Sequence, residues 1–135
     1  MLACLLALGV TMQTFQLDAY ADQRRVLETR APASFEWTVR VRLADGRSAG
    51  VLFGLSDDGQ NGYVARLDSR LGLLILGKIG PWPKEERLAT YRWEPIDGTA
   101  ATLRVVAGNG SARVFVKEKG EYPLLETRAY RPTGS

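Results

Sequence analysis

Histidine is absent from all 135 residues. A Ser-His-Asp or Cys-His nucleophilic centre therefore cannot be built within this chain, and neither can a His-ligated metal site. The single cysteine, Cys4, excludes an intrachain disulfide and a thiolate metal cluster. No run approaches the roughly 20 apolar residues that a membrane-spanning helix needs. No ten-residue stretch repeats its apolar residues at helical spacing, so amphipathic helices are not expected either. A block of one charge sign is also lacking. The 18 Lys and Arg alternate with 15 Asp and Glu to leave a net charge of +3, without the basic stripe that a nucleic-acid binder shows. These absences point away from an enzyme and toward a binding module.

What is present fits one domain. An apolar fraction of 45% and a charged fraction of 24% are those of a folded globular chain. Residues 1–14 form an apolar N-terminal segment, and 15–135 read as one β domain. The opening run, Met1 to Val10, is about as long as a signal-peptide core. It lacks a basic stretch before it and a small-residue cleavage site after it. It therefore reads either as a first strand or as a degenerate export signal.

From residue 15 onward the period is two. Phe35, Trp37, Val39, Val41 and Leu43 alternate with Glu36, Thr38, Arg40 and Arg42, giving one dry face and one wet face. Residues 49–55 are almost continuously apolar and contain Gly50 and Gly54. They read as a central strand covered on both sides, with glycine where another backbone comes close. Strands are also expected over 15–20, 26–30, 63–68, 73–79, 88–93, 100–107, 113–117 and 124–130. Gly108-Asn109-Gly110-Ser111 supplies a turn that needs positive φ. About eight to ten short strands with turn residues between them predict an all-β, antiparallel sandwich or barrel, here taken as a two-sheet sandwich.

Candidate chemistry is sparse. The loop Ser56 to Gly62 holds Asp57, Asp58 and Asn61, oxygen ligands of the kind calcium takes, but without the ligand spacing of an EF-hand. Asp, Asn and Gly also suit a plain turn, and sugar contact is a third reading. Trp82 is held between Pro81 and Pro83, where an aromatic ring either stacks on a sugar or packs back on the fold. Tyr63 opens a strand beside the Asp/Asn loop and divides evenly between core and contact. Arg66, with Asp68 two residues on, is the best candidate for hydrogen bonds to sugar hydroxyls. Trp37 reads as core, and Tyr91 with Trp93 as a same-face pair favouring the core. Glycosidases use two carboxylates. The available pairs are Asp57 with Asp68, Glu85 with Glu86, and Glu118 with Glu126, and each reads as solvated surface charge.

The stretches Ser34 to Gly46, Ala49 to Phe53 and Asp57 to Asp68 resemble the concanavalin A-like, laminin-G-like jelly roll. More narrowly, they are similar to the accessory β-sandwich modules of fructan-degrading glycoside hydrolases such as levanases and other β-fructosidases. Thr102 to Ala107, Ala112 to Val116 and Pro123 to Gly134 resemble the paired strands and closing segment of such modules. The resemblance implies a non-catalytic carbohydrate-binding module, extracellular or periplasmic, with a carbohydrate polymer or oligosaccharide as partner. It implies no cofactor, calcium being the one ion the Asp/Asn loop could take. Taken from the residue types above, the expected contact residues are Asp57, Asp58, Asn61, Tyr63, Arg66 and Trp82. Two alternatives are a laminin-G-like protein-interaction domain with a calcium rim site and a fragment of a glycoside hydrolase. The latter lacks the Glu-x-Asp-x-x-Glu pattern of laminarinase-like catalysts. Such modules continue past the final glycine with further strands, so a shortened or divergent member is expected. Its open sheet edge would favour a homo-oligomer.

Overall fold

The computed structural model describes residues 12–19, 34–43, 48–93, 100–117 and 122–131, the first of these stretches as backbone only. The apolar run at 1–11, the expected strand at 26–30 and Glu118 lie outside the described residues. The described elements are nine strands: β1 (Met12–Ala19), β2 (Phe35–Leu43), β3 (Ser48–Phe53), β4 (Gly62–Asp68), β5 (Leu73–Ile79), β6 (Glu85–Arg92), β7 (Ala100–Gly108), β8 (Ser111–Val116) and β9 (Leu125–Thr127). No helix among the described residues is long and apolar enough to cross a membrane.

The strands form two sheets, one ordered β1-β2-β7-β8-β9 and the other β3-β4-β5-β6. The second is a meander of successive hairpins, and the chain crosses between sheets after β2 and after β6. Pairing is antiparallel throughout the described strands except between β1 and β2, which run parallel.

Period two decides which side chains are dry. On β2, Phe35, Trp37, Val39 and Val41 point between the sheets, and Glu36, Thr38, Arg40 and Arg42 point away. The facing sheet contributes Val51, Phe53, Tyr63, Ala65, Leu67, Leu74 and Leu76 to the same core. Phe35, Trp37, Phe53, Tyr63 and Tyr130 form a chain of ring contacts with centroids 4.4–5.8 Å apart. Each ring contributes large apolar area and a further ~1 kcal/mol where ring edges and faces meet well.

Three expectations change. The 49–55 run is not a central strand covered on both sides. Its strand, β3, forms the edge of the four-stranded sheet and buries alternate residues. The glycine inference nevertheless holds at Gly50, where an added Cβ would run into the Ala65 carbonyl and the Arg66 backbone on β4. The charged Glu85-Glu86-Arg87 segment, which lies before the strand expected over 88–93, is the start of β6, and a bulge opposite Leu76 and Gly77 accommodates the extra residue. The last strand is shorter than expected, because residues 128–131 leave the sheet and pack Tyr130 into the core. The 108–111 turn is as expected, with Asn109 and Gly110 both at positive φ.

Tyr63 and Tyr130 touch in the core but differ in their hydroxyls. Tyr63 donates to the Ala129 carbonyl at 3.2 Å and accepts from the Arg131 amide at 3.0 Å. The buried Tyr130 hydroxyl finds no partner among the described residues. Burial first, and the neighbouring Tyr63 second, raise the Tyr130 pKa above its ordinary value. The unfolded chain releases this proton near pH 10, whereas the folded chain retains it to higher pH. The stabilisation is therefore fully present below about pH 10 and is lost as pH rises toward the folded value. Tyr130→Phe is expected to match or exceed the parent stability at neutral pH by up to about 1 kcal/mol, because an unsatisfied polar atom is removed. It should also flatten the alkaline fall in melting temperature. Urea melts at pH 7 and pH 11 check both.

Candidate ligand-binding site

The most unusual polar grouping lies on the outer face of the four-stranded sheet. Arg66 on β4 projects from that face, with Gly50 beside it on β3 and Gly77 diagonally across on β5. The second glycine leaves a trough, because a Cβ there would meet the Glu85 side chain at 3.0 Å. Glu85, at the start of β6, reaches over Gly77 to Arg66. Its two oxygens accept from Arg66 Nε at 3.0 Å and Nη2 at 2.8 Å, a bidentate pair. Arg66 Nη1 donates to Asp68 Oδ2 at 2.8 Å and to Ser48 Oγ at 2.9 Å. Asp68 in turn accepts the Leu71 amide through Oδ1 at 2.9 Å, which ties the carboxylate to the β4–β5 turn.

These charges are largely withdrawn from water. The side chains of Arg66, Asp68 and Glu85 are 18%, 7% and 18% exposed. Val64 and Ile75 face the same side and are buried there, apart from the main core cluster. The Glu85 hydrogen bonds, opposed by burial and assisted by Asp68, raise the Arg66 pKa, so the guanidinium stays charged. Two carboxylates against one cation leave the group with one negative charge. Its carboxylate oxygens retain lone pairs for hydroxyl donors, and the four Arg66 hydrogen bonds hold the donor fork in a fixed plane.

The loops at one end of this sheet are joined to each other. Trp82 donates its amide to the Gln60 carbonyl at 2.8 Å, and Gly80 lies against Asn61. Asp58 Oδ1 accepts from Ser56 Oγ at 2.6 Å and from the Gln60 amide at 3.0 Å. Ser56 Oγ accepts the Asn61 amide at 3.0 Å. The Asp/Asn loop is thus closed on itself as a turn. Among the described residues no three His, Cys, Asp or Glu side chains converge in a way that could hold a metal ion. The Trp82 loop continues directly into Glu85, and the Trp82 side chain is 39% exposed.

The structure thus gathers Asp57, Asp58, Asn61 and Trp82 at one end of the sheet and joins that end to Arg66 through Glu85. Tyr63 is corrected. It is 1% exposed and hydrogen-bonded inside the core, because residue 63 belongs to the inward set of β4 while Arg66 belongs to the outward set. Glu85 was missed as a site residue. Read as solvated charge beside Glu86, it is instead the bidentate partner of Arg66. Only the β4-β5-β6 register brings residues 66 and 85 together, and no local pattern encodes that register. Ser48 was missed for the same reason. Of the same-face aromatic pair, Trp93 packs against the core, whereas Tyr91 on the β6 edge stays 37% exposed.

No family model matches this sequence, and no curated protein matches it. Among solved structures the fold is similar to carbohydrate binding module CBM66 from Bacillus subtilis, with a TM-score of 0.66 and 17% sequence identity. The similarity covers 79% of this chain and 65% of that one, so this chain spans a little under two thirds of its neighbour's length.

Proposed function

We propose that this protein is a non-catalytic carbohydrate-binding module whose ligand meets the outer face of the four-stranded sheet at Arg66, Glu85 and Asp68. The observation that carries this reading is the largely withdrawn carboxylate–guanidinium–carboxylate group set over a glycine in a sheet face. Sugar hydroxyls both donate and accept. A fixed guanidinium between two carboxylates offers both functions within one short span. Trp82, at the loop feeding into Glu85, supplies an apolar face for a sugar ring. Asp57, Asp58 and Asn61 form the polar rim beside it.

The sandwich fold shared with a carbohydrate-binding module agrees with this reading. So does a chain without histidine, in which the carboxylates near Arg66 are engaged in ion pairs. A fructan or related polysaccharide is the expected ligand, and an extracellular or periplasmic glycoside hydrolase the expected companion. Such a module would raise the effective concentration of the enzyme at its polymer. Affinity should be modest, since a shallow polar site retains little free energy after ordering and desolvation costs.

One exposed position, Trp82, and one largely buried position, Glu85, test the site. Trp82→Ala and Glu85→Gln are each expected to weaken sugar binding about tenfold, the equivalent of ~1.4 kcal/mol. Trp82→Ala should leave the melting temperature of the free protein nearly unchanged. Titration of both variants with fructose, inulin, levan and glucan oligosaccharides checks this. Unchanged affinity in both would remove the sheet face as the site. A calcium-dependent melt with no sugar response would favour the protein-interaction alternative.

A further inference from the structure

Charges that alternate along the sequence need not alternate in space. On the five-stranded sheet, period two sends Arg40 and Arg42 of β2, Arg104 of β7 and Arg113 of β8 to the outer face. The register pairs Arg40 with Thr102, Thr38 with Arg104, Arg104 with Phe115 and Val106 with Arg113. Each step from Arg40 to Arg104 to Arg113 therefore moves one strand across and two residues along. With strands ~4.8 Å apart and ~3.4 Å per residue, that is roughly 8 Å per step. Arg42 extends the line along β2, so the four arginines form a diagonal stripe about 23 Å long.

The stripe is well supported and only partly neutralised. The Arg104 guanidinium lies 4.2 Å from the centroid of the Phe115 ring, which it covers, so its position is fixed by packing. By register three acids share this face, Asp18 of β1, Glu36 of β2 and Glu126 of β9. Glu36 pairs with Arg104 at 3.2 Å, and Glu126, opposite Arg113 in the register, pairs with Arg128 at 3.2 Å. Among the described residues no ion pair joins a carboxylate to Arg40 or Arg113, and exposed Lys117 follows at the end of β8. Asp18 of β1 stands opposite Arg42 in the register, at the far end of the stripe.

We infer that this face is a second binding surface, for an anionic polysaccharide. A line of cations across a sheet face fits an extended polymer with regularly spaced carboxylates or sulfates. Thr38 and Thr102 between the arginines add hydroxyls for its ring oxygens and hydroxyl groups. A single-stranded nucleic acid fits less well, because base stacking needs open aromatic rings and Phe115, the aromatic ring that the described outward positions of β2, β7 and β8 carry, lies buried beneath Arg104. The stripe is on the opposite sheet from Arg66, so the loss of one surface leaves the other standing.

The test compares polygalacturonate with its fully methyl-esterified form, which keeps the backbone and removes the charge. Affinity electrophoresis is run between about 50 mM and 200 mM salt. The expected result is retardation by the charged polymer alone, weakening steeply as salt rises. Arg40→Glu with Arg113→Glu should weaken it about tenfold or more. The charge-matched pair Arg70→Glu with Arg87→Glu, on the turn and edge of the other sheet, should retain most of it. Equal losses in the two double variants would overturn the inference, because net charge alone would then account for binding. So would equal retention by the esterified polymer, or tighter binding of a single-stranded DNA of the same length. Glu85→Gln should retain polygalacturonate binding while binding neutral sugars about tenfold more weakly, which separates this surface from the first.

Discussion

Arg66→Met is expected to cost the fold about 3 kcal/mol and to abolish sugar binding. Removing one partner of a largely buried ion pair leaves the others charged without compensation, an effect of roughly 3–5 kcal/mol when burial is complete. Here Asp68 and Glu85 would face one another across the vacated position, and Ser48 would lose its donor. The side chains keep some contact with water, so the lower end of that range applies. A loss of binding in a destabilised variant is ambiguous by itself. A triple variant, Arg66→Met with Glu85→Met and Asp68→Asn, resolves it. Apolar groups of similar volume replace the Arg66–Glu85 pair, and the side-chain carbonyl introduced by Asp68→Asn still accepts the Leu71 amide. Charge networks of this kind are often no more stable than an apolar replacement. The triple variant is therefore expected to recover most of the parent stability while sugar binding stays absent. Chemical denaturation and sugar titration on the same samples check both halves.

Gly50→Ala is expected to be nearly as damaging, at about 3 kcal/mol, although it adds a single methyl group. The methyl would collide with the Ala65 carbonyl and the Arg66 backbone, neither of which is a flexible side-chain end. Relief requires β3 to separate from β4, which breaks the edge pairing and displaces Arg66 with it. A stability loss of less than about 1 kcal/mol would mean that β3 can shift at little cost. Because the collision reaches Arg66 itself, any folded fraction of this variant should also bind sugar more weakly.

Parts of this architecture were legible in the sequence and parts were not, for identifiable reasons. Phe35 to Leu43 and Leu73 to Ile79 were readable to the residue, because one has strict alternation and the other an apolar run ended by glycine and proline. The Gly108 to Ser111 turn was readable because its backbone needs positive φ and the residues supply it. Arg66 was readable as polar among buried neighbours. Its role was not, because Glu85 and Ser48 lie 19 and 18 residues away and meet it through sheet register. Glu85 was hidden further by its neighbours, since a Lys-Glu-Glu-Arg run looks like solvated loop until β6 pairs with β5. Tyr63 was undecided for a different reason. Its place at a strand start beside a polar loop allowed either core or contact, and strand parity sends it inward with Ala65 and Leu67. The arginine stripe shows the same limit, because four residues from three strands become neighbours only after β2, β7 and β8 pair.

The edges of the four-stranded sheet bear on association. β6 is an eight-residue edge strand, and β3 closes the other side. Glu86, Arg87 and Arg92 line β6 with exposed charge, and the bulge opposite Gly77 distorts its ladder. Both features oppose pairing with another chain. The expected homo-oligomer through an open edge must therefore overcome them at β6.

The central claim is that a sugar is held at the Arg66 group, and thermal melting with ligand tests it most directly. A ligand that binds only the folded state raises the melting temperature by mass action. The parent protein, Glu85→Gln and Trp82→Ala are melted with fructose, inulin, levan and glucan oligosaccharides. The account predicts a concentration-dependent rise for the parent with one sugar class, reduced in both variants. No rise with any of these sugars, or a rise equally large in Glu85→Gln, would contradict it.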